Sequence, residues 1–248
     1  MKAIILAGGT GSRLYPITQY ISKQLLPVHD KPMIYYPLSI LMLAKIKDIA
    51  VISDDKSLSY YKKILGNGSD LGLKIKFFAQ KKPNGIPEAF KLTKNFIKND
   101  KVMLILGDNI FYGDSFVKKY IIPAITLNKP CIYGYFKKDP SHYGVVSFDK
   151  NFKIKKIVEK PKDFVSNYVI PGLYLFDKNV SKYSAKLKKS KRGEYEILDL
   201  INFYKKNKNI KLKIIDRGVA WMDMGQPDDL SKAGQFISEI QDSSEKIG

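Results

Sequence analysis

A short apolar strand that runs into a glycine cluster constrains this chain more than any other feature. Lys2-Ala3-Ile4-Ile5-Leu6-Ala7 reads as that strand, and the turn after it, Gly8-Gly9-Thr10-Gly11-Ser12-Arg13-Leu14, holds three glycines in four positions. Lys23 follows in Ser22-Lys23-Gln24-Leu25-Leu26-Pro27. Glycine lacks Cβ and tolerates positive φ, so backbone N–H groups can converge on phosphate oxygens while Arg13 and Lys23 neutralise charge. The dinucleotide pattern G-x-G-x-x-G would need glycine where Leu14 stands, and the Gly-Lys-Ser/Thr of a P-loop is absent. A tight strand-to-helix turn with incidental cations is the competing reading.

With 248 residues the chain can bury a real core, and one domain over 1–240 with a frayed tail over 241–248 is expected. No apolar run approaches the ~20 residues that cross a bilayer, and Met1–Ala7 is too short for a signal peptide core, so a cytoplasmic protein without membrane contact is expected. The lone Cys131 falls in a predicted strand, where a buried apolar role suits it. A net charge of +19 invites a nucleic-acid reading. Yet the lysines scatter over nearly every predicted helix and loop, and no helix or aromatic strand face collects them. No nucleic-acid partner is therefore expected.

Along the chain, a helix over 34–46, a strand over 49–52, a helix over 57–65 and a strand over 75–79 give a βαβα order and hence a parallel sheet. Gln80 then leads into Lys82-Pro83-Asn84-Gly85-Ile86-Pro87, before a helix over 88–97. Ligands of open parallel sheets bind beyond the strand C-termini, so this loop either joins the first one or is an ordinary connection. The most apolar strand, 102–106, ends in Gly107-Asp108-Asn109, where Asp108 is a candidate ligand for Mg²⁺ or a turn residue. Asp114 or Ser115 is expected to cap a helix over 116–127. Further strands are read over 131–136 and 167–176, with a hairpin over 143–148 and 153–159 between them. Glu159-Lys160 at its end reads most simply as a surface ion pair. A helix is expected from Arg192 to Lys206, a strand over 210–215, a second candidate carboxylate at Asp223, and an amphipathic helix over 227–240.

Ala7 to Pro16, Ser22 to Pro27, Asp30 to Ser39 and Leu106-Gly107-Asp108-Asn109-Ile110-Phe111-Tyr112-Gly113 together resemble the sugar-phosphate nucleotidylyltransferases, most of all their thymidylyltransferase branch. The resemblance runs over essentially all of 1–240. It implies an α/β, Rossmann-like nucleotidyltransferase domain whose mostly parallel mixed central sheet is flanked by helices and carries an antiparallel insertion. It further implies a homo-oligomer acting on dTTP and glucose 1-phosphate with Mg²⁺ as cofactor, held by Asp108 and Asp223. Gly8, Gly9, Gly11, Ser12 and Arg13 would hold the triphosphate, with Gln80 and Gly85 on the base. Asn109, Gly144, Glu159, Lys160, Ile170, Tyr174 and Arg192 would meet the sugar phosphate, and Arg13, Lys23 and Lys160 would carry catalysis. Glu88 and Pro171 depart from the branch, which usually has glutamine and threonine there. The C-terminal helices of its longer members, which help build a regulatory site, have no counterpart in 1–248.

Overall fold

The computed structural model describes residues 1–113, 115–127, 129–207 and 210–243. From the N-terminus the elements are β1 (Lys2–Leu6), the short pair β2 (Pro27–Val28) and β3 (Lys31–Pro32), α1 (Tyr35–Leu43), β4 (Asp48–Ser53), α2 (Asp55–Leu65) and β5 (Lys74–Ala79). Then come α3 (Glu88–Leu92), α4 (Lys94–Ile97), β6 (Val102–Leu106), β7 (Asn109–Gly113), α5 (Ile122–Thr126) and β8 (Cys131–Phe136). The hairpin β9 (Gly144–Phe148) and β10 (Ile154–Glu159) is followed by β11 (Tyr168–Val169), β12 (Leu173–Phe176), α6 (Val180–Ser184) and α7 (Ile197–Asn207). Strands β13 (Lys211–Ile215) and β14 (Val219–Asp223) and helix α8 (Pro227–Ser243) complete the order.

The residues group into two compact units. One holds 3–83, 105–112 and 220–248, with its strands in the order β1, β4, β5 and the end of β6 beside β1. β4 and β5 run parallel, in register from Asp48↔Lys74 to Ser53↔Ala79. Ile4, Ile5, Val51 and Ile52 are fully buried, as the unbroken apolar runs of parallel strands require. Asp54 caps α2, its carboxylate accepting from the Ser57 N–H at 3.0 Å, and Gly66 ends that helix.

The other unit holds 1–2, 84–104 and 113–219. Here the order is β10, β9, β11, β8, β12. The pairs β10/β9, β11/β8, β11/β9 and β12/β8 are antiparallel, and β13 runs parallel to β8. These pairs are the antiparallel portion that the sequence predicts. Cys131 is buried, and burial pushes its thiol up to about 12, as an inert core residue.

Several expected elements differ. The 88–97 helix is broken at Thr93, whose hydroxyl donates back to the Ala89 carbonyl at 2.6 Å. The 116–127 helix opens with a π-helical turn over Val117–Ile121 ahead of Pro123, which has no N–H to give. Phe116 sits at its N-cap without a side-chain cap, and Asp114 lies outside the described residues. The 167–176 strand is split into β11 and β12 at Pro171. Helix α7 starts at Ile197, not Arg192, because Ser190–Glu196 closes its own turn with Gly193 at φ +78° and its N–H on the Ser190 carbonyl. Helix α8 continues to Ser243, past Ile240, and the 244–248 part of the expected tail lies outside the described residues. Among the described residues no helix is long and apolar enough to cross a membrane.

Candidate active site

The end of β1 is held at one atom. The Ala7 carbonyl accepts from the Ser53 hydroxyl at 2.7 Å and the Tyr61 hydroxyl at 3.3 Å, and the Ala7 N–H donates to Ile52 at 2.7 Å. Ser22, next to Lys23, lies 2.8 Å from the same Tyr61 hydroxyl. Two segments flanking the glycine turn are thus tied to one buried tyrosine. Within the turn Gly9 has φ +116° and Gly11 φ +60°, and a Cβ at Gly11 would come 2.8 Å from Thr18 Cγ2. A side chain at Gly11 would therefore be strained twice over. The 3₁₀ turn Ser12–Leu14 buries Leu14 and leaves Ser12 and Arg13 exposed. A cavity of about 290 Å³ opens here, with Gly8, Gly9, Lys23, Asp54 and Gln80 in its wall. Gln80 is buried, and its Oε1 would stand 3.3 Å from a Cβ at Gly8.

The same unit brings two carboxylates together. Lys23 Nζ is 2.5 Å from Asp108 Oδ2, both side chains being mostly buried. Asp108 Oδ1 accepts from the Asn109 amide at 3.0 Å, and the buried Asn109 Oδ1 accepts from the Trp221 indole at 2.7 Å. The Asp108 carbonyl accepts from the Met224 N–H at 3.1 Å, which ties the end of β6 to the end of β14. Arg13 reaches the Asp223 end as well: a Cβ built on Gly225 would be 3.2 Å from its guanidinium and 3.6 Å from Asp223 Oδ2. Burial pushes the Asp223 carboxyl up to about 6, and the negative charge of Asp108 adds to the rise while Lys23 and Arg13 oppose it. Two crowded carboxylates of this kind suit a hard divalent cation. Among the described residues no group of three or more His, Cys, Asp or Glu could hold a metal, so a cation here would complete its shell with phosphate oxygens and water.

The other unit carries a second group. Gly85 has φ +95°, and a Cβ there would fall 2.1 Å from the Tyr195 carbonyl oxygen, so only glycine fits. Gly144 pairs with Glu159 across β9 and β10, and a Cβ on it would stand 3.3 Å from Glu159 Oε2. Glu159 is exposed at the strand end, yet the protein behind it raises its carboxyl, against the pull of Lys160 and Arg192. Lys160 has φ +42°, with its N–H on the Tyr143 carbonyl at 3.0 Å. Ile170 and Tyr174 are buried, and the Ile170 N–H donates to the Gly144 carbonyl at 2.8 Å. Arg192 is paired with Glu196 at 2.8 Å.

Of the predicted site residues, Gly8, Gly9, Gly11, Ser12, Arg13, Lys23, Gln80, Asp108, Asn109 and Asp223 fall in the first unit. Gly85, Gly144, Glu159, Lys160, Ile170, Tyr174 and Arg192 fall in the second. Within the first unit the buried Asn109 amide bridges Asp108 and Trp221. Asp54, in the cavity wall, is not among the predicted site residues, although it follows β4 directly and strand C-termini are where such sites gather. Tyr61 and Trp221 are supports that the sequence does not reveal; a tyrosine in an amphipathic helix gives no local sign of its partner.

The nucleotidyl transferase family profile matches residues 2–240. A glucose-1-phosphate thymidylyltransferase of Neisseria gonorrhoeae is 46% identical over 241 residues, 97% of this chain and 84% of that protein. One from Xanthomonas campestris pv. campestris is 44% identical over 97% of this chain and 81% of its own. Among solved structures, a Bacillus anthracis protein described as a glucose-1-phosphate thymidylyltransferase, crystallised with sucrose, superposes with a TM-score of 0.87 at 38% identity, over 95% of this chain and 94% of that one. A UDP-glucose pyrophosphorylase complexed with UDP-glucose shares the fold, with a TM-score of 0.84 at 23% identity over 96% and 98% of the two chains. With a glycine turn, two cations and two converging carboxylates in one unit, and with the profile and relatives spanning nearly its whole length, this chain belongs to the nucleotidyl transferase family.

Proposed function

We propose that the chain transfers the deoxythymidylyl group of dTTP to glucose 1-phosphate, giving dTDP-glucose and pyrophosphate. The observation that carries the chemistry is the meeting of Arg13 and Lys23 with Asp108 and Asp223 beside the Gly8–Gly11 turn. The substrates rest on the names of relatives 46% and 44% identical over 97% of the chain.

A sugar 1-phosphate is already an anionic oxygen nucleophile at neutral pH, so no general base is required of His29 or His142. Its oxygen attacks the α-phosphorus in line, the bond from that phosphorus to the bridging oxygen breaks, and pyrophosphate leaves with the electron pair. The protein's work is alignment and charge relief. The N–H groups of Gly8, Gly9, Gly11 and Ser12, with Arg13, hold the triphosphate, and Lys23 meets the α-phosphate. Gln80 and Gly85 read the base. Lys160 and Arg192 hold the incoming phosphate, Gly144 and Glu159 the sugar hydroxyls, and Asn109, Ile170 and Tyr174 shape the sugar side. When bound, Mg²⁺ held by Asp108 and Asp223 supplies charge neutralisation on the phosphate oxygens. Transfer of this kind inverts at phosphorus and leaves no covalent enzyme intermediate.

The test is pyrophosphate release by the purified chain with Mg²⁺ and glucose 1-phosphate, with dTTP, UTP, CTP, ATP and GTP supplied in turn. The highest release is expected with dTTP, and none after chelation of the metal. Glu88, which accepts from the Asn84 amide at 2.8 Å, keeps UTP as the second reading. A preference for UTP would move the base assignment. Silence with every nucleotide and hexose 1-phosphate would overturn the transferase reading.

A further inference from the structure

The turn at Asn84–Glu88 is gripped from one segment. The Tyr195 N–H donates to the Asn84 carbonyl at 2.8 Å, and the Tyr195 carbonyl lies against Gly85 so closely that no Cβ fits between them. The Tyr195 ring has Lys91 Nζ at 3.2 Å from its centroid, and Lys91 stands on α3, directly after the turn. Lys189 adds a third hold: its Nζ donates to Asn84 Oδ1 at 2.6 Å, the amide of Asn84 then donating to Glu88 at 2.8 Å, and it lies 5.5 Å from the same ring. Backbone, ring and side chain thus fix both ends of a short loop.

The segment is built to stay rigid. The Ser190 N–H reaches the Glu194 carbonyl at 2.8 Å and the Ser190 hydroxyl reaches Glu196 at 2.7 Å. Arg192 donates to both Glu196 oxygens, at 3.3 and 2.8 Å. A planar guanidinium held by two oxygens has little freedom left.

We propose that Lys189–Glu196 is a strap that sets the Asn84–Glu88 turn, with Tyr195 as its positioning residue, so that nucleobase selection depends on a segment lying outside the base subsite. This deepens the transferase reading and rests on it for the role of Gly85. Tyr195 itself touches no reacting atom. Its ring works through Lys91 and its peptide through Asn84 and Gly85, whereas the Arg192 end is secured by its own bonds to Ser190 and Glu196.

The experiment compares the full chain with Tyr195→Ala, Tyr195→Phe and Lys189→Met in steady-state turnover of dTTP and of UTP with glucose 1-phosphate and Mg²⁺. Tyr195→Ala is expected to raise KM for dTTP roughly tenfold and narrow the preference between dTTP and UTP, the scale of losing a close cation–π contact. Its kcat and its KM for glucose 1-phosphate should stay within about twofold of wild type, which a general loss of structure would not allow. Lys189→Met should raise KM for dTTP about threefold, and Tyr195→Phe, which keeps the ring face, should match wild type. Hydrogen exchange on the substrate-free proteins supplies a readout without turnover: the Tyr195 and Ala89 amides should exchange faster in Tyr195→Ala and not in Tyr195→Phe. An unchanged dTTP KM in folded Tyr195→Ala, or equal rises in both KM values, overturns the strap. If wild type turns over no nucleotide, the transferase reading fails separately, and unchanged exchange in Tyr195→Ala then overturns the strap by itself.

Discussion

Replacing Asp223 by asparagine should make the metal-free protein more stable while removing its activity. Burial and the negative charge of Asp108 raise the Asp223 carboxyl from its ordinary 3.8 to about 6, despite the attraction of Lys23 and Arg13. A carboxyl raised in the folded state binds its proton more tightly there than in the unfolded chain. Folding stability therefore falls as pH climbs from 3.8 through 6, and the full cost is present above about 6. At ~1.4 kcal/mol per tenfold change in acidity constant the cost approaches ~3 kcal/mol, and partial contact with water brings it towards ~2 kcal/mol. The asparagine amide in the variant would carry no charge at any of these pH values. Urea unfolding in EDTA should then show Asp223→Asn about 2 kcal/mol more stable than wild type at pH 8, with the gap closing towards pH 4. Mg²⁺ should raise wild-type stability at pH 8 and leave the variant nearly unmoved, because a ligand stabilises the state that binds it. Equal stability at pH 8, or a gap that does not change with pH, would refute the account of two crowded carboxylates.

Arg13→Ala and Lys23→Ala should each lower pyrophosphate release by at least ~100-fold, the lower range for a positioned charge at a transition state, in protein that circular dichroism shows to be folded. Trp221→Phe removes the indole donor to the buried Asn109 Oδ1 and should cost roughly 1–2 kcal/mol in urea unfolding, and it should weaken Mg²⁺ binding because Asn109 also orients Asp108.

What could be read from the chain was what neighbours in sequence settle. The apolar run into Gly8–Gly11 leaves few conformations open, and two of its glycines do take positive φ. The placement of Asp108 just past a strand end was legible for the same reason, since a strand of five residues and the turn after it are local matters, whereas the strand Val219–Asp223 that delivers Asp223 is not among the predicted ones. Helix limits were less legible. The helix start expected at Arg192 belongs instead to a turn closed by Ser190, Gly193 and the Arg192–Glu196 pair, a competition between local hydrogen bonds that propensity does not resolve.

Only the tertiary structure decided which of these pieces meet. Lys23 and Asp108 are 85 residues apart in sequence and Trp221 and Asn109 are 112 apart, so no periodicity connects them. The Asp223 carboxyl is an ordinary acid in the sequence and a perturbed one in the fold, because burial beside a like charge exists only once β6 and β14 end together. Gly85 shows the same division. Its residue type marks a turn, but the need for glycine comes from the Tyr195 carbonyl packed against it, contributed by a distant downstream segment that chain order does not place there.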